Sequence, residues 1–276
     1  MAERPRLAVS NIAWEPSEEA AVVEVLRREG VDGVEIAPTK WRDKPFDASA
    51  ADVAAYRRLW EDRGFPVVSL QALLFGRSDL QLFTSLESRR QLGDYLRRVI
   101  DFAAAVGAHA MVFGSPKNRV RGSLAMPDAM AIAAEFLRDI GGYCAERGTT
   151  MCIEANPVEY GCDFVTTTAE AVALCRAVDH PAVRVNVDLG GITMSHEDSS
   201  TAIASARDVI GHYHASEPNL AEIGAVSRHA EARQALDEIG YTNWISIEMR
   251  ATADNVAAVS RAIERTKAAY FARPSS

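Results

Sequence analysis

Short apolar runs alternate with longer amphipathic stretches from one end of the chain to the other. Strand-like runs fall at Leu7 to Asn11, Gly33 to Ala37, Pro66 to Gln71 and Ala110 to Gly114. Four more follow at Met151 to Glu154, Val183 to Asp188, Gly211 to Ala215 and Trp244 to Glu248. Helix-period segments fill the intervals, at 17–29, 48–63, 87–106, 127–146, 167–178, 199–207, 228–239 and 253–271. The helical reading rests on spacing: Leu92, Leu96, Val99 and Phe102 fall at i, i+4, i+7 and i+10 and share one face. Start signals agree, with Ser17 before Glu18-Glu19 and Thr167 three residues ahead of Glu170 in a capping-box pattern. Gly30, Gly64, Gly107 and Gly148 each close a helical stretch, where a left-handed C-cap is expected.

Eight strand units in strict alternation with eight helices imply a parallel sheet, and eight is the number that closes a barrel. A doubly wound open sheet competes, but it usually carries a glycine-rich phosphate turn after its first strand. Here the first strand ends in Ser10-Asn11-Ile12-Ala13-Trp14, and neither a GxGxxG nor a P-loop pattern occurs. With no long linker or low-complexity segment, the expectation is α/β: a single (β/α)8 TIM barrel domain over residues 1–276.

Composition narrows the function. The 276 residues suit one barrel of about 250 residues plus loops. No apolar run reaches the roughly 18 residues a bilayer span needs, and the first residues lead into a strand without the apolar stretch of a signal peptide. A cytoplasmic protein with no membrane partner is expected. Four cysteines without a CxxC pair argue against a disulfide scaffold or a zinc ribbon. A net charge of −8 argues against nucleic-acid binding, which depends on neutralising phosphates. The expected partner is a small molecule.

The carboxyl ends of barrel strands carry the active site whatever the chemistry. The last four strands end in Cys152-Ile153-Glu154, Asn186-Val187-Asp188, His212-Tyr213-His214 and Ser246-Ile247-Glu248. Read with a period of two, the bulky middle residues face the helices and Glu154, Asp188, His214 and Glu248 point inward at the top. Three carboxylates around one axis repel strongly in a poorly solvated cavity. A divalent cation removes that cost. An oxygen-rich set with one imidazole suits Mn²⁺, Mg²⁺ or Co²⁺, with two positions left for substrate or water oxygens.

On these residues the chain resembles the xylose isomerase-like TIM barrel superfamily, which includes ketose 3-epimerases, sugar-phosphate isomerases, inosose dehydratases and family-2 AP endonucleases. The motifs that carry the likeness are Cys152-Ile153-Glu154-Ala155-Asn156-Pro157, Asn186-Val187-Asp188-Leu189-Gly190, His212 to Glu217, and Ser246-Ile247-Glu248. The resemblance implies one divalent metal ion held by Glu154, Asp188, His214 and Glu248, Mn²⁺ first, with Co²⁺, Mg²⁺ or Zn²⁺ as alternatives. It implies Glu154 and Glu248 as a catalytic acid/base pair, and a sugar or sugar phosphate isomerase or epimerase working through an enediolate. It also implies a homodimer or homotetramer. Two departures from the ketose epimerases stand out: Gly191 replaces a His, and Leu220 replaces an Arg, both of which normally hold the polar end of a free ketose. Glu159 only approximately matches a further Glu after the fifth strand.

Something else must then bind the substrate. The segment Gly114 to Arg121 is the most concentrated basic stretch, and Lys117 and Arg119 are expected to grip an anionic sugar. Glu35, Gln71, Asn156 and Glu217, with Asn11 beside them, are further strand-end candidates for substrate hydroxyls. Trp14, Trp41, Phe75 and Phe113 lie near the same loops as a candidate apolar wall, Phe113 fitting the core better. His109 and His180 fall at the opposite, stability face, and His196 falls in a loop. Two alternatives stay open: an inosose-dehydratase-like lyase on a sugar or cyclitol, and a non-catalytic sugar-binding barrel. The multi-zinc AP endonuclease arrangement needs more His on the early strands than this chain has.

Overall fold

The strands form because β-branched and aromatic residues crowd runs of four to seven residues between glycine and proline breaks. The computed structural model describes residues 4–224 and 227–272; the ends of the expected 1–276 domain lie outside the described residues. Eight strands appear: β1 (Arg6–Ser10), β2 (Gly33–Ile36), β3 (Val67–Leu70), β4 (Ala110–Phe113), β5 (Thr150–Glu154), β6 (Val183–Asp188), β7 (Ile210–Ser216) and β8 (Trp244–Glu248). They close in sequence order, each parallel to its neighbours, with β8 paired to β1. The fold is a (β/α)8 TIM barrel.

The helices follow the strands: α1 (Glu19–Arg28), α2 (Ala50–Asp62), α3 (Leu86–Val106), α4 (Met126–Glu146), α5 (Thr168–Val178), then α6 (Leu189–Met194), α7 (Ser199–Ser205), α8 (Ser227–Glu238) and α9 (Asn255–Tyr270). Seven of the eight expected segments match within a few residues at each end, and α7 stops two residues before the expected 207. The addition is α6, one and a half turns after β6. Its sequence opens Leu189-Gly190-Gly191, which reads as a turn; the helix forms because Asp188 caps it, its Oδ1 accepting from the amides of Gly190 (2.8 Å) and Gly191 (3.2 Å). Gly30, Gly64, Gly107 and Gly148 all have positive φ, as the C-cap reading requires.

The main core lies between barrel and helices. Ile153, Val187, Tyr213 and Ile247 belong to it, whereas Cys152, Asn186, His212 and Ser246 do not. The period-two reading of the late strands therefore holds, and the alternate residues fill the barrel. Register does the rest. Asn186 lies beside Glu154, His214 beside Asp188, and Glu248 beside Ser216. This stagger winds the four strand ends around the barrel axis.

Candidate metal centre

Glu154, Asp188, His214 and Glu248 converge. Each offers a ligand atom, and these atoms lie within 4.8 Å of one another. His214 Nδ1 stands 3.3 Å from Glu154 Oε1 and 3.1 Å from Glu248 Oε2. His214 and Glu248 are buried and Asp188 is half-buried. Burial pushes the Glu248 carboxyl up to about 7, with Glu154 and Asp188 adding to it against the pull of His214. Burial and Glu154 likewise raise Asp188. Carboxyls that resist ionisation because they are buried, and further because they face one another, are what a divalent ion relieves. Oxygen donors with a single imidazole fit Mn²⁺, Mg²⁺ or Co²⁺ better than a structural zinc set.

Neighbours fix these donors. Asn186 Nδ2 donates to Glu154 Oε1 at 2.7 Å and lies 3.2 Å from His214 Nδ1. Asn156 Nδ2 donates to Glu154 Oε2 at 3.1 Å. Ser216 Oγ donates to Asp188 Oδ1, the oxygen that caps α6, which leaves Oδ2 for an ion. Gly114 lets the wall approach: a Cβ there would clash with Glu154 Oε2.

Glu35 is fully enclosed. Its Oε2 lies 2.9 Å from His212 Nε2 and 3.1 Å from His214 Nε2 and accepts from Ser69 Oγ (2.7 Å), while its Oε1 accepts from Gln71 Nε2 (3.0 Å). Glu35, His212 and His214 also cluster as a second group of donor atoms within 4.8 Å of one another. Both histidine contacts to Glu35 are of hydrogen-bond length, and all three residues are buried. We therefore read Glu35 as the acceptor behind His214, which turns Nδ1 toward the other three donors. Burial opposes charge on both partners, yet the two histidines hold Glu35 well below the usual carboxylate range, and Glu35 and Glu248 hold the His214 proton well above the usual imidazole range. His212 moves the other way, because burial outweighs Glu35.

The remaining candidates separate. Gln71 and Asn156 line the cavity of about 180 Å³ over the donors. Arg119 is enclosed in the wall: its Nη2 donates to the Glu154 carbonyl (2.7 Å) and to Asn156 Oδ1 (2.8 Å), and the guanidinium is not presented to solvent. Lys117 is exposed on the loop and does not line the cavity. Glu217 accepts from the Gly224 amide and pairs with His229 Nε2 at 3.2 Å, fastening the loop after β7 to α8. Asn11 accepts from the Ala37 amide. Glu159 is exposed and off the cavity. Trp14 and Phe113 are core, Trp41 stacks on Tyr56 at 4.5 Å, and Phe75 is exposed. His109 and His196 are exposed.

The sequence reading missed several contributors. Asn186 and Ser216 were visible as polar residues flanking the ligands. Tyr160 and Val112, which also line the cavity, carried no signal of their own, whereas Leu220, noted as standing in place of an Arg, lines it as well.

Comparison with known proteins adds the following. A family model described as xylose isomerase-like TIM barrel matches residues 23–269. No curated protein sequence matches the chain. Among solved structures, a D-psicose 3-epimerase in the presence of D-fructose is 17% identical, with 97% of this chain and 100% of that one covered, at a TM-score of 0.80. A D-psicose 3-epimerase with D-tagatose from Clostridium cellulolyticum H10 is 15% identical, covering 96% and 99%, at 0.81. A 3-keto-D-glucoside 4-epimerase from E. coli is 17% identical, covering 96% and 100%, at 0.77. At such identities these likenesses speak for the fold.

Proposed function

The chain belongs to the xylose isomerase-like TIM barrel family, and from that membership we propose that it is a divalent-metal-dependent isomerase or epimerase of a sugar or sugar phosphate. The observation that carries the reading is the gathering of Glu154, Asp188, His214 and Glu248, one from each of the last four strands, within 4.8 Å. Mn²⁺ is the proposed ion. When bound, it supplies positive charge that polarises a sugar carbonyl and makes the adjacent C–H more acidic.

Asp188 and His214 anchor. Glu154 and Glu248 each have one oxygen facing His214, Oε1 and Oε2 respectively, so the proton moves at their other oxygens. Glu154 accepts or returns it at Oε2, steadied by Asn156 Nδ2; Glu248 does so at Oε1. Return to the opposite face gives an epimer, and return to the neighbouring carbon gives an isomer. Gln71, half of whose amide is spent on Ser10 and Glu35, turns the rest toward substrate hydroxyls.

Incubation with Mn²⁺ and a panel of ketoses and ketose phosphates in D₂O tests this. Deuterium next to the carbonyl, lost in Glu154→Gln and Glu248→Gln, is the expected result. No exchange and no product across the panel contradicts it; product without deuterium replaces proton abstraction by a hydride shift. Loss of water in place of reprotonation would make the chain a lyase.

A further inference from the structure

Beside the small cavity over the metal centre lies a larger groove, about 760 Å³ against 180 Å³. Its walls are the loops after β1, β2 and β3 and one face of α3, and Ala72 lines both spaces. We propose that this groove is a subsite for a second sugar ring, glycosidically linked to the part of the substrate held at the metal centre. The chain would then act on glycosides in preference to free monosaccharides. This rests on the isomerase or epimerase reading for what fills the smaller space.

Size is the first argument. Sites that enclose a whole organic ligand run to roughly 300–1,000 Å³; the space over the carboxylates falls short of that range, and the two together fill it. The junction is the second. Ala72 holds φ at 53°, a left-handed conformation uncommon for a residue with a side chain. That turn, closed by the Phe75 amide donating to the Ala72 carbonyl at 3.1 Å, sets Phe75 on the lip of the groove. Phe75 lines the groove and leaves 71% of its surface in solvent, so an aromatic face stands open at the junction. An aromatic face takes up the weakly positive C–H edge of a pyranose.

Charge is the third. Four cations line the groove, yet three are already matched: Arg98 by Asp47, Arg77 by Asp79 (2.7 Å) and Lys40 by Glu15 (3.2 Å). With Asp43, Lys44 and Thr39 also in the lining, the groove offers compensated donors and acceptors around one open aromatic face. That pattern suits a neutral polyhydroxylated ring and gives a phosphate little unspent charge.

The test is calorimetric titration of the Mn²⁺-loaded protein with cellobiose, maltose, sucrose and trehalose, with glucose and fructose, and with glucose 1-phosphate. At least one disaccharide should bind about 10-fold more tightly than its component monosaccharides. Phe75→Ala, checked for fold by circular dichroism, should erase the difference, and Phe75→Trp should keep it. The proposal is overturned if no disaccharide binds more tightly than its components. It is equally overturned if the preference survives Phe75→Ala, or if the phosphate is preferred over every disaccharide. Turnover separates the two readings: preference with neither exchange nor product keeps the subsite and removes the isomerase, and exchange or product without preference does the reverse.

Discussion

Arg119 is enclosed in the loop after β4 with no ion pair to a carboxylate among the described residues, and its Nε and Nη1 have no hydrogen-bond partner there. What it does hold is the backbone and, through Asn156, the side chain of Glu154. It is a positioning residue for the proposed base, and Glu35 plays that part for His214. Asn156→Ala and Glu35→Gln should each lower Mn²⁺ affinity or turnover by about 10–100-fold, read by titration and by steady-state rates. Glu154→Gln and Glu248→Gln should cost about 10²–10⁴ in turnover. The four proposed ligands were legible because each lies at or within two residues of a strand's carboxyl end and the period of two fixes its direction. The role of Glu35 was not, since its partner His212 lies 177 positions away and only barrel closure brings them together. Nor does a run of basic residues encode which way each points: Arg119 turns inward and Lys117 outward.

Among the elements, α6 shows how a proposed ligand, Asp188, can also cap a helix. Asp188 caps the helix with Oδ1 and keeps Oδ2 free, so the position of α6 sets the angle of the carboxylate. The helix packs close to β7: a Cβ on Gly190 would lie 2.7 Å from the Glu217 carbonyl oxygen and 2.9 Å from Ser216 Oγ, whereas one on Gly191 meets nothing nearer than 3.6 Å. Gly190→Ala should therefore weaken Mn²⁺ binding by about 10-fold, as loss of supporting contacts does, while Gly191→Ala leaves it near wild type; calorimetry reads both. Periodicity found the long helices, whose apolar faces repeat over several turns. It could not find α6, whose six residues include two glycines and whose formation depends on a cap from the preceding strand.

For the whole molecule, the carboxyls of the proposed metal centre contribute to how stability responds to pH. Without an ion, burial and neighbouring acids raise Glu248 to about 7, so the folded chain holds a proton there to higher pH than the unfolded chain does, and they shift Asp188 in the same direction. The folded state thus binds more protons between the ordinary carboxylate range and about 7, so this contribution to stability falls as pH rises through that window. Metal binding expels those protons and the one on His214, so Mn²⁺ affinity should rise with pH and binding should release protons. Titrations in buffers of different ionisation enthalpy measure that release; uptake would contradict it. At 100 times its dissociation constant the ion should add about 2.7 kcal/mol, a rise in Tm of about 5 °C for a chain of this length by differential scanning calorimetry.

The proposed chemistry depends on one ion held by side chains from the last four strands. Elemental analysis by plasma mass spectrometry of protein loaded with Mn²⁺ and freed of excess by gel filtration tests it most directly. The expected result is about one manganese per wild-type chain and almost none in the folded Asp188→Ala/His214→Ala double variant. No stoichiometric metal in the wild type, or equal loading in the variant, would contradict it.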